Sequence, residues 1–191
     1  PPFGQQAAVL LDEGEKIQLR DGREVVLREA EPEDAESMIA YLRQTAAETH
    51  FMVRLPEEVD FTLEEEERIL RNIRKSDKDL ILAAFDGDRV VGNVGVHIFH
   101  DRTKVRHRSS LGIAIIQEYC SSGLGTILME RGIDFAKKAG FEQLELGVFA
   151  DNDRALCLYK KMGFEEIGRI PRAFRLPDGS YIDEITMVKM L

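Results

Sequence analysis

A glycine-containing segment, Ser121-Ser122-Gly123-Leu124-Gly125-Thr126, lies between a predicted strand and a predicted helix. Glycines let the backbone approach a ligand closely, and free N–H groups at the start of a helix attract an anion, so this spacing favours a phosphate cradle. Two common phosphate motifs do not fit. The dinucleotide fingerprint requires a small residue where Leu128 stands, and the P-loop requires a lysine that this segment lacks. Glycines of a plain turn are the alternative interpretation of the same residues.

A second segment runs from Asn152 through Tyr159 to Phe164 and is predicted to contain a capped helix. Asn152 is suited to cap the first turn, and Gly163 is suited to end the last one. A phenol can act as a proton donor, but a tyrosine on the apolar face of a helix is more often a core residue. Taken alone, Tyr159 therefore does not decide between packing and catalysis.

The elements that must position these segments alternate in type along the chain. Asp21-Gly22 between two short alternating runs predicts a hairpin, and Thr62 with Glu65 forms a capping-box signature at the start of a helix. The full order is a strand pair, two helices, three strands, a helix, a strand, a helix and two strands. This order predicts one α/β (α+β) domain over residues 16–191, with helices on the faces of a mixed sheet, after a poorly structured segment over residues 1–15.

Length and composition restrict the class of protein. The 191 residues are 43% hydrophobic and 32% charged, which fits one soluble domain with a sizeable core. No apolar run approaches the roughly 20 residues that span a bilayer, and the first residues lack a signal-peptide pattern. Cys120 and Cys157 have neither zinc-site nor disulfide spacing. We therefore expect a cytoplasmic protein without a membrane partner and without a metal ion.

The charge of the chain is distributed unevenly. Residues 1–79 carry 20 acidic and 11 basic side chains, so the whole net charge of −9 lies in this part. An acidic chain repels phosphate backbones, which argues against nucleic acid as a partner. The acidic part serves either solubility alone or the binding of a cationic ligand, and the sequence leaves both interpretations open.

Taken together, the two segments resemble the GNAT superfamily of N-acetyltransferases. The family pattern Q/R-x-x-G-x-G/A is matched from Cys120 to Gly125 except at its first position. The pattern Asn-x-x-Ala-x-x-x-Tyr-x-x-x-Gly-Phe is matched in full by Asn152, Ala155, Tyr159, Gly163 and Phe164. The resemblance covers residues 25–190 and is nearest to the bacterial branch that includes ribosomal-protein alanine acetyltransferases. It implies a GNAT-like single domain, in which about four helices cover a mixed, mostly antiparallel sheet.

The resemblance also implies that acetyl-CoA is the acyl donor and that particular residues hold it. Backbone groups of a strand would bind the pantetheine arm, the glycine-containing loop would bind the pyrophosphate, and Asn152 would contact the donor near its thioester. Tyr159 would act as the general acid that protonates the departing thiolate. The implied donor-binding residues are Ile113, Ala114, Ile115, Cys120, Ser121, Ser122, Gly123, Leu124, Gly125, Thr126, Asn152, Ala155 and Tyr159.

Two positions depart from the family pattern. Cys120 stands where Gln or Arg is usual, which removes a polar contact to the pyrophosphate. Gly147 stands where alanine acetyltransferases carry a glutamate, so the general base is not evident. Glu145, two residues earlier on the same strand face, is the substitute we predict as the second catalytic residue, and a carboxylate paired at the surface is the alternative interpretation of it. His97, His50, a water relay and the absence of a dedicated base are the alternatives.

The acceptor is expected to meet the loop between the first two helices. There, Thr49 to Arg54 precede Glu57, Glu58 and Asp60, so an apolar wall would adjoin carboxylates. This composition favours the primary amine of a small cationic molecule or of a peptide N-terminus, attacking acetyl-CoA directly in a ternary complex. A non-catalytic acyl-CoA-binding sensor or interaction module is the alternative function. A homodimer is left open.

Overall fold

This computed structural model describes residues 14–191 of the chain, which contain eight strands and four α-helices. The strands are β1 (Glu15–Gln18), β2 (Glu24–Glu29), β3 (Leu80–Asp86), β4 (Arg89–Ile98), β5 (Arg108–Ile115), β6 (Gln143–Phe149), β7 (Glu165–Arg175) and β8 (Tyr181–Met190). The helices are α1 (Ala35–Glu48), α2 (Leu63–Lys75), α3 (Leu124–Lys138) and α4 (Asp153–Lys161). Among these residues, no helix is both long enough and apolar enough to cross a membrane.

The strands form one sheet in the order β1-β2-β3-β4-β5-β6-β8-β7. Every neighbouring pair is antiparallel except β5 and β6, which are parallel. The predicted mixed, mostly antiparallel sheet with helices on its faces is therefore confirmed. The segment predicted to be poorly structured, residues 1–15, falls mainly on residues 1–13, which lie outside the described part. Its last residue, Glu15, already belongs to β1.

Local signals in the sequence explain where several elements begin. Gly22 takes a positive φ of 89° in the turn between β1 and β2, a conformation that glycine adopts without steric cost. At the start of α2, Thr62 Oγ1 accepts a hydrogen bond from the Glu65 N–H, and the Glu65 carboxylate accepts one from the Thr62 N–H. This reciprocal pair is the capping box that the sequence predicts.

Helices α1 and α3 cover opposite faces of the sheet. In α3, a methyl group on Gly132 would lie 2.9 Å from Val94 Cγ2, so this glycine allows the helix to approach β4 closely. In α1, the buried Tyr41 hydroxyl lies 2.7 Å from the Asn93 side-chain oxygen. Because Asn93 and Val94 are successive residues of one strand, their side chains point to opposite faces. The sheet is therefore covered on both sides at its centre.

The two parallel strands separate after a short pairing. Residues Arg108–Ser110 of β5 pair with Gln143–Glu145 of β6. Beyond that point β5 remains paired with β4 as far as Ile115, while β6 remains paired with β8 as far as Phe149. The divergence leaves a V-shaped opening in the middle of the sheet, which we call the cleft.

Candidate active site

The cleft contains a cavity of about 820 Å³. The separated ends of β5 and β6 form two of its sides. The end of α1 with the loop that follows it, the first turns of α4, and residues of β7 and β8 complete the wall. Segments that are far apart in the sequence therefore meet around one space.

The open edge of β5 presents to the cleft backbone groups that no neighbouring strand pairs with. The Ile116 N–H donates to Val91 O across the β4–β5 pairing, and the alternation of an antiparallel ladder then directs the Ala114 N–H and C=O towards β4 as well. The backbone groups of Ile113 and Ile115 point the other way, to the side that β6 has left, where the Ile115 C=O accepts a long hydrogen bond of 3.8 Å from the Cys120 thiol. The structure thus offers Ile113 and Ile115 to an extended ligand, whereas Ala114, expected to share this role, is engaged with β4.

The loop before α3 has the backbone shape of an anion site. Ser121 and Gly123 take positive φ values of 60° and 89°. The first N–H of α3 to find an acceptor is that of Ile127, which donates to Gly123 O, so the N–H groups of Leu124, Gly125 and Thr126 have no intrahelical acceptor. These groups suit a phosphate ester better than a neutral ligand.

The side chains of this loop have different roles from its backbone. Ser122 is buried and its hydroxyl donates to Tyr119 O, and Leu124 is wholly buried in the core. Cys120 lies in the cavity wall, whereas the rest of the loop continues beyond it. Sequence reasoning missed a further contact: the Arg20 side chain lies 3.1 Å from the point where a Cβ on Gly123 would stand, which places a cation beside the loop.

Asn152, Ala155 and Tyr159 lie together in the wall contributed by α4. The Asn152 side-chain oxygen accepts a hydrogen bond from the Ala155 N–H, so this residue caps the helix and leaves its amide NH₂ to donate. Tyr159 is only 7% exposed, and burial raises the pKa of its phenol to about 12. Within residues 14–191, no side chain or backbone group hydrogen-bonds its hydroxyl. The phenol is therefore protonated and available to a bound molecule.

Three phenylalanines, Phe51, Phe149 and Phe174, form an aromatic wall in the cavity. The rings of Phe149 and Phe174 are stacked, with centroids 3.7 Å apart and planes 4° apart, and Phe51 lies edge-on to Phe149 at 6.0 Å. Phe51 belongs to the loop that was predicted to line the acceptor site. The wall offers a flat apolar surface to the body of a ligand.

The carboxylates predicted beside that loop lie elsewhere. Glu57, Glu58 and Asp60 are outside the cavity wall, and Glu58 accepts a hydrogen bond from the Leu55 N–H of its own 3-10 turn. The carboxylates that do line the cavity are those of Glu48, Asp153 and Glu184. The expected combination of an apolar wall with negative charge is present, but different residues supply the charge.

Glu145, the predicted general base, is outside the cavity wall. Both of its carboxylate oxygens lie 2.6 Å from Arg108 nitrogens in a two-bond ion pair, and this pair lowers the pKa of the carboxyl group. A carboxylate held in this way is a weak proton acceptor. The structure therefore gives Glu145 the role of an ion-pair partner between β5 and β6.

The two histidines considered as alternative bases differ in position. His50 lies outside the wall, with Nε2 2.7 Å from Asp151 Oδ2. His97 lines the cavity, and its Nδ1 is 3.2 Å from Asp79 Oδ1. Among residues 14–191 no group of three or more His, Cys, Asp or Glu side chains is arranged to hold a metal ion.

Glu184 is among the cavity residues that sequence reasoning missed. Its carboxylate lies against the bare Cα of Gly147, since a methyl group built there would be 2.7–3.0 Å from the carboxylate carbon and both oxygens. The side chain thus fills the space that any other residue at position 147 would occupy. In the sequence, Gly147 is the only sign of this arrangement. The register of β6 against β8 is needed to show that the Glu184 side chain occupies the space beside it.

Comparisons with known proteins agree with this geometry. The sequence model of the Acetyltransferase (GNAT) family matches residues 30–164. The L-amino acid N-acetyltransferase AaaT of Escherichia coli (strain K12) is 28% identical over 171 residues, which are 87% of this chain and 98% of that protein. The chain therefore belongs to the GNAT family of acetyl-CoA-dependent N-acetyltransferases and is an enzyme of that class.

Solved structures show the same fold. A GNAT-family acetyltransferase from Streptococcus pneumoniae has a TM-score of 0.83 and 34% identity, covering 87% of this chain and 99% of its own. A ribosomal-protein-alanine N-acetyltransferase from Brucella melitensis has a TM-score of 0.76 and 25% identity, covering 86% and 99%. The yncA acetyltransferase of Salmonella typhimurium, solved with acetyl-CoA, has a TM-score of 0.76 and 17% identity, covering 87% and 94%.

Proposed function

We propose that this enzyme transfers the acetyl group of acetyl-CoA to the primary amine of a small cationic acceptor, by direct attack within a ternary complex. The observation that carries the proposal is the cavity of about 820 Å³, whose wall contains an open strand edge, a protonated tyrosine, aromatic rings and carboxylates. One space of this kind can hold donor and acceptor at the same time, so no acyl-enzyme is required.

The donor side fits an extended anionic molecule. Ile113 and Ile115 offer backbone donors and acceptors at the open edge of β5, which suits the amides of a pantetheine arm. The free N–H groups at the start of α3 suit the pyrophosphate, and Arg20 brings a guanidinium to the same loop. Arg20 would supply the cation that Cys120 does not.

Tyr159 is the general acid in this proposal. As the carbon–sulfur bond breaks, the sulfur gains negative charge, and the phenol can transfer its proton to it. A thiol has an ordinary pKa near 8.5 and the buried phenol about 12, so the transfer to a free thiolate in water would be unfavourable. An enclosed site raises the basicity of the sulfur as well, which narrows this difference.

The acceptor side fits a cation with an apolar body. Glu48, Asp153 and Glu184 outnumber Arg154, the one arginine among the described residues that line the cavity. An ammonium group is attracted to this negative field, while the stacked rings of Phe149 and Phe174 can contact the body of the acceptor. The similarity to an L-amino acid N-acetyltransferase adds amino acids to the acceptors to be tested, beside polyamines, aminoglycosides and peptide N-termini.

The test is thiol release from acetyl-CoA by the purified protein across that panel of amines, with acetyl-CoA binding followed by thermal shift. Release that depends on a cationic amine is the expected result. Release with neutral amines alone would contradict the acceptor class. If no amine of the panel causes thiol release while acetyl-CoA still raises the melting temperature, the proposal is contradicted and an acyl-CoA-binding module is favoured.

A further inference from the structure

One carboxylate that lines the cavity, that of Glu184, has no partner among residues 14–191. Glu184 lines the cleft and is half-buried, and no residue between 14 and 191 forms a hydrogen bond or an ion pair with its side chain. A half-buried carboxylate normally accepts hydrogen bonds from its neighbours, because removing it from water is costly. Glu184 is therefore positioned to interact with a bound molecule.

We propose that Glu184 is the general base that removes protons from the acceptor amine. The inference rests on the proposed function, since it assigns a residue to that reaction. Glu184 takes this role in place of Glu145, whose carboxylate is held by Arg108 outside the cavity.

The other two carboxylates of the cavity are less suited to this role. Glu48 is engaged with its neighbours, because one oxygen accepts a hydrogen bond from Gln44 and the other accepts one from the Gln117 backbone N–H. Asp153 is exposed to solvent in the first turn of α4. Both can attract a cation, but neither is a free and sheltered proton acceptor.

The position of Glu184 follows from the pairing of β6 with β8. Its Cα is opposite that of Phe149, so the two side chains stand on the same face of the sheet, next to the stacked ring of Phe174. The carboxylate reaches diagonally across to Gly147, where the missing side chain leaves room for it. An acceptor whose body lies on the aromatic wall would thus bring its ammonium group beside Glu184.

The proton count of the reaction is consistent with one carboxylate and one phenol. Glu184 takes the first proton of the ammonium and passes it to solvent, and the free amine attacks the carbonyl carbon of the thioester. Glu184 takes the second nitrogen proton as the carbon–sulfur bond breaks, while Tyr159 gives its proton to the sulfur. Tyr159 then regains a proton from Glu184 through solvent. An amide and a thiol are formed, and one proton is released in each turnover.

The pH dependence of turnover in Glu184→Gln tests the inference. With the best acceptor of the panel, we expect kcat at saturating acceptor to fall by about 10²-fold or more at neutral pH. The loss should shrink as the pH rises, because the amine then arrives already deprotonated. A residue that only binds the acceptor would raise KM and leave kcat and its pH profile unchanged. The thermal shift by acetyl-CoA should be retained.

Three further variants serve as controls. Glu165→Gln removes the same charge from an exposed residue at the start of β7, away from the cavity, and should keep the wild-type pH profile. Glu184→Gly should have a kcat as low as that of Glu184→Gln, because both variants lack the carboxylate. Adding Gly147→Glu to Glu184→Gly returns a carboxylate to the same space from the facing strand and should recover part of the lost rate.

The results of these variants test the assignment of Glu184 as the general base. A wild-type kcat and pH profile in Glu184→Gln, or the same pH-dependent loss of kcat in His97→Gln instead, would overturn the assignment of Glu184 and leave the transferase intact. No thiol release by the wild-type protein with any amine, while acetyl-CoA still binds, would overturn the assignment together with the proposed function. A fall in kcat of Glu184→Gln at neutral pH that shrinks as the pH rises, with partial recovery of kcat in the double variant, would support the assignment.

Discussion

At the scale of single residues, the reactivity of the cleft depends on what surrounds each group. Burial holds Tyr159 in its neutral form, because a phenolate in the same place would lose its hydration. Arg108 does the reverse for Glu145 and stabilises the charged form. The contacts therefore distinguish Tyr159, whose hydroxyl is available for proton transfer, from Glu145, whose carboxylate is held in an ion pair, although both residues were predicted to be catalytic.

Replacing Tyr159 with Phe tests the general acid. The variant keeps the ring in its buried place and removes only the hydroxyl, which has no hydrogen-bond partner among the described residues, so the fold should be retained. We expect kcat to fall by about 10²-fold or more, with little change in the affinity for acetyl-CoA. Steady-state thiol release and the thermal shift by acetyl-CoA measure the two quantities. An unchanged kcat would remove Tyr159 from the mechanism.

The sequence predicts some residues of the site better than others for a physical reason. Asn152, Ala155 and Tyr159 occur at fixed spacing on one helix, so a short motif places them together in the wall. Glu184 meets Gly147 only through the pairing of two strands that are far apart in the chain. Neither segment alone determines the register of such a pairing. A shift of the register by one residue would turn the Glu184 side chain to the other face of the sheet.

At the scale of elements, the cleft depends on the short parallel pairing of β5 and β6. The Arg108–Glu145 ion pair lies beside the point where the two strands separate, and it joins them on the side of the closed end. The order of elements was predictable from capping and turn signals such as Thr62 with Glu65. The insertion of β8 between β6 and β7 was not, because it is a long-range choice of partner.

The variant Glu145→Gln tests whether this ion pair stabilises the fold. Arg108 lowers the pKa of the Glu145 carboxyl below its ordinary value of 4.5, so its stabilising effect is present above that value and is lost as the pH falls through the lower folded-state pKa. Since both side chains are partly exposed, we expect the free energy of unfolding to decrease by only about 0.5–1 kcal/mol at neutral pH.

Urea denaturation at a series of pH values measures the difference between Glu145→Gln and the wild-type protein. The difference should be constant near neutral pH and should disappear in acid, where the wild-type carboxyl is also neutral. Glu165→Gln, which alters an exposed carboxylate outside the pair, is the matched control. A difference that does not depend on pH would contradict an electrostatic origin.

At the scale of the whole molecule, the uneven charge along the chain does not by itself make the cleft acidic. The acidic residues Glu57, Glu58 and Asp60 of the first part lie outside the cavity, and only Glu48 of that part lines it. Asp153 and Glu184 come from the second part, where acidic and basic residues balance. The fold therefore gathers negative charge at the cleft from both parts of the chain.

The salt dependence of the KM for the acceptor tests whether this negative charge attracts a cationic acceptor. A linear diamine carries a second positive charge, whereas an ω-amino acid of equal length carries a carboxylate at that end. Raising the ionic strength from about 0.01 M to about 0.1 M shortens the screening length from about 30 Å to about 10 Å, so the attraction to the carboxylates of the cleft and to the net charge of −9 weakens. We expect the KM of the diamine to rise several-fold and that of the ω-amino acid to change little, both measured by thiol release. Equal salt dependence of the two acceptors would show that the cleft selects for the shape of the amine and not for its charge.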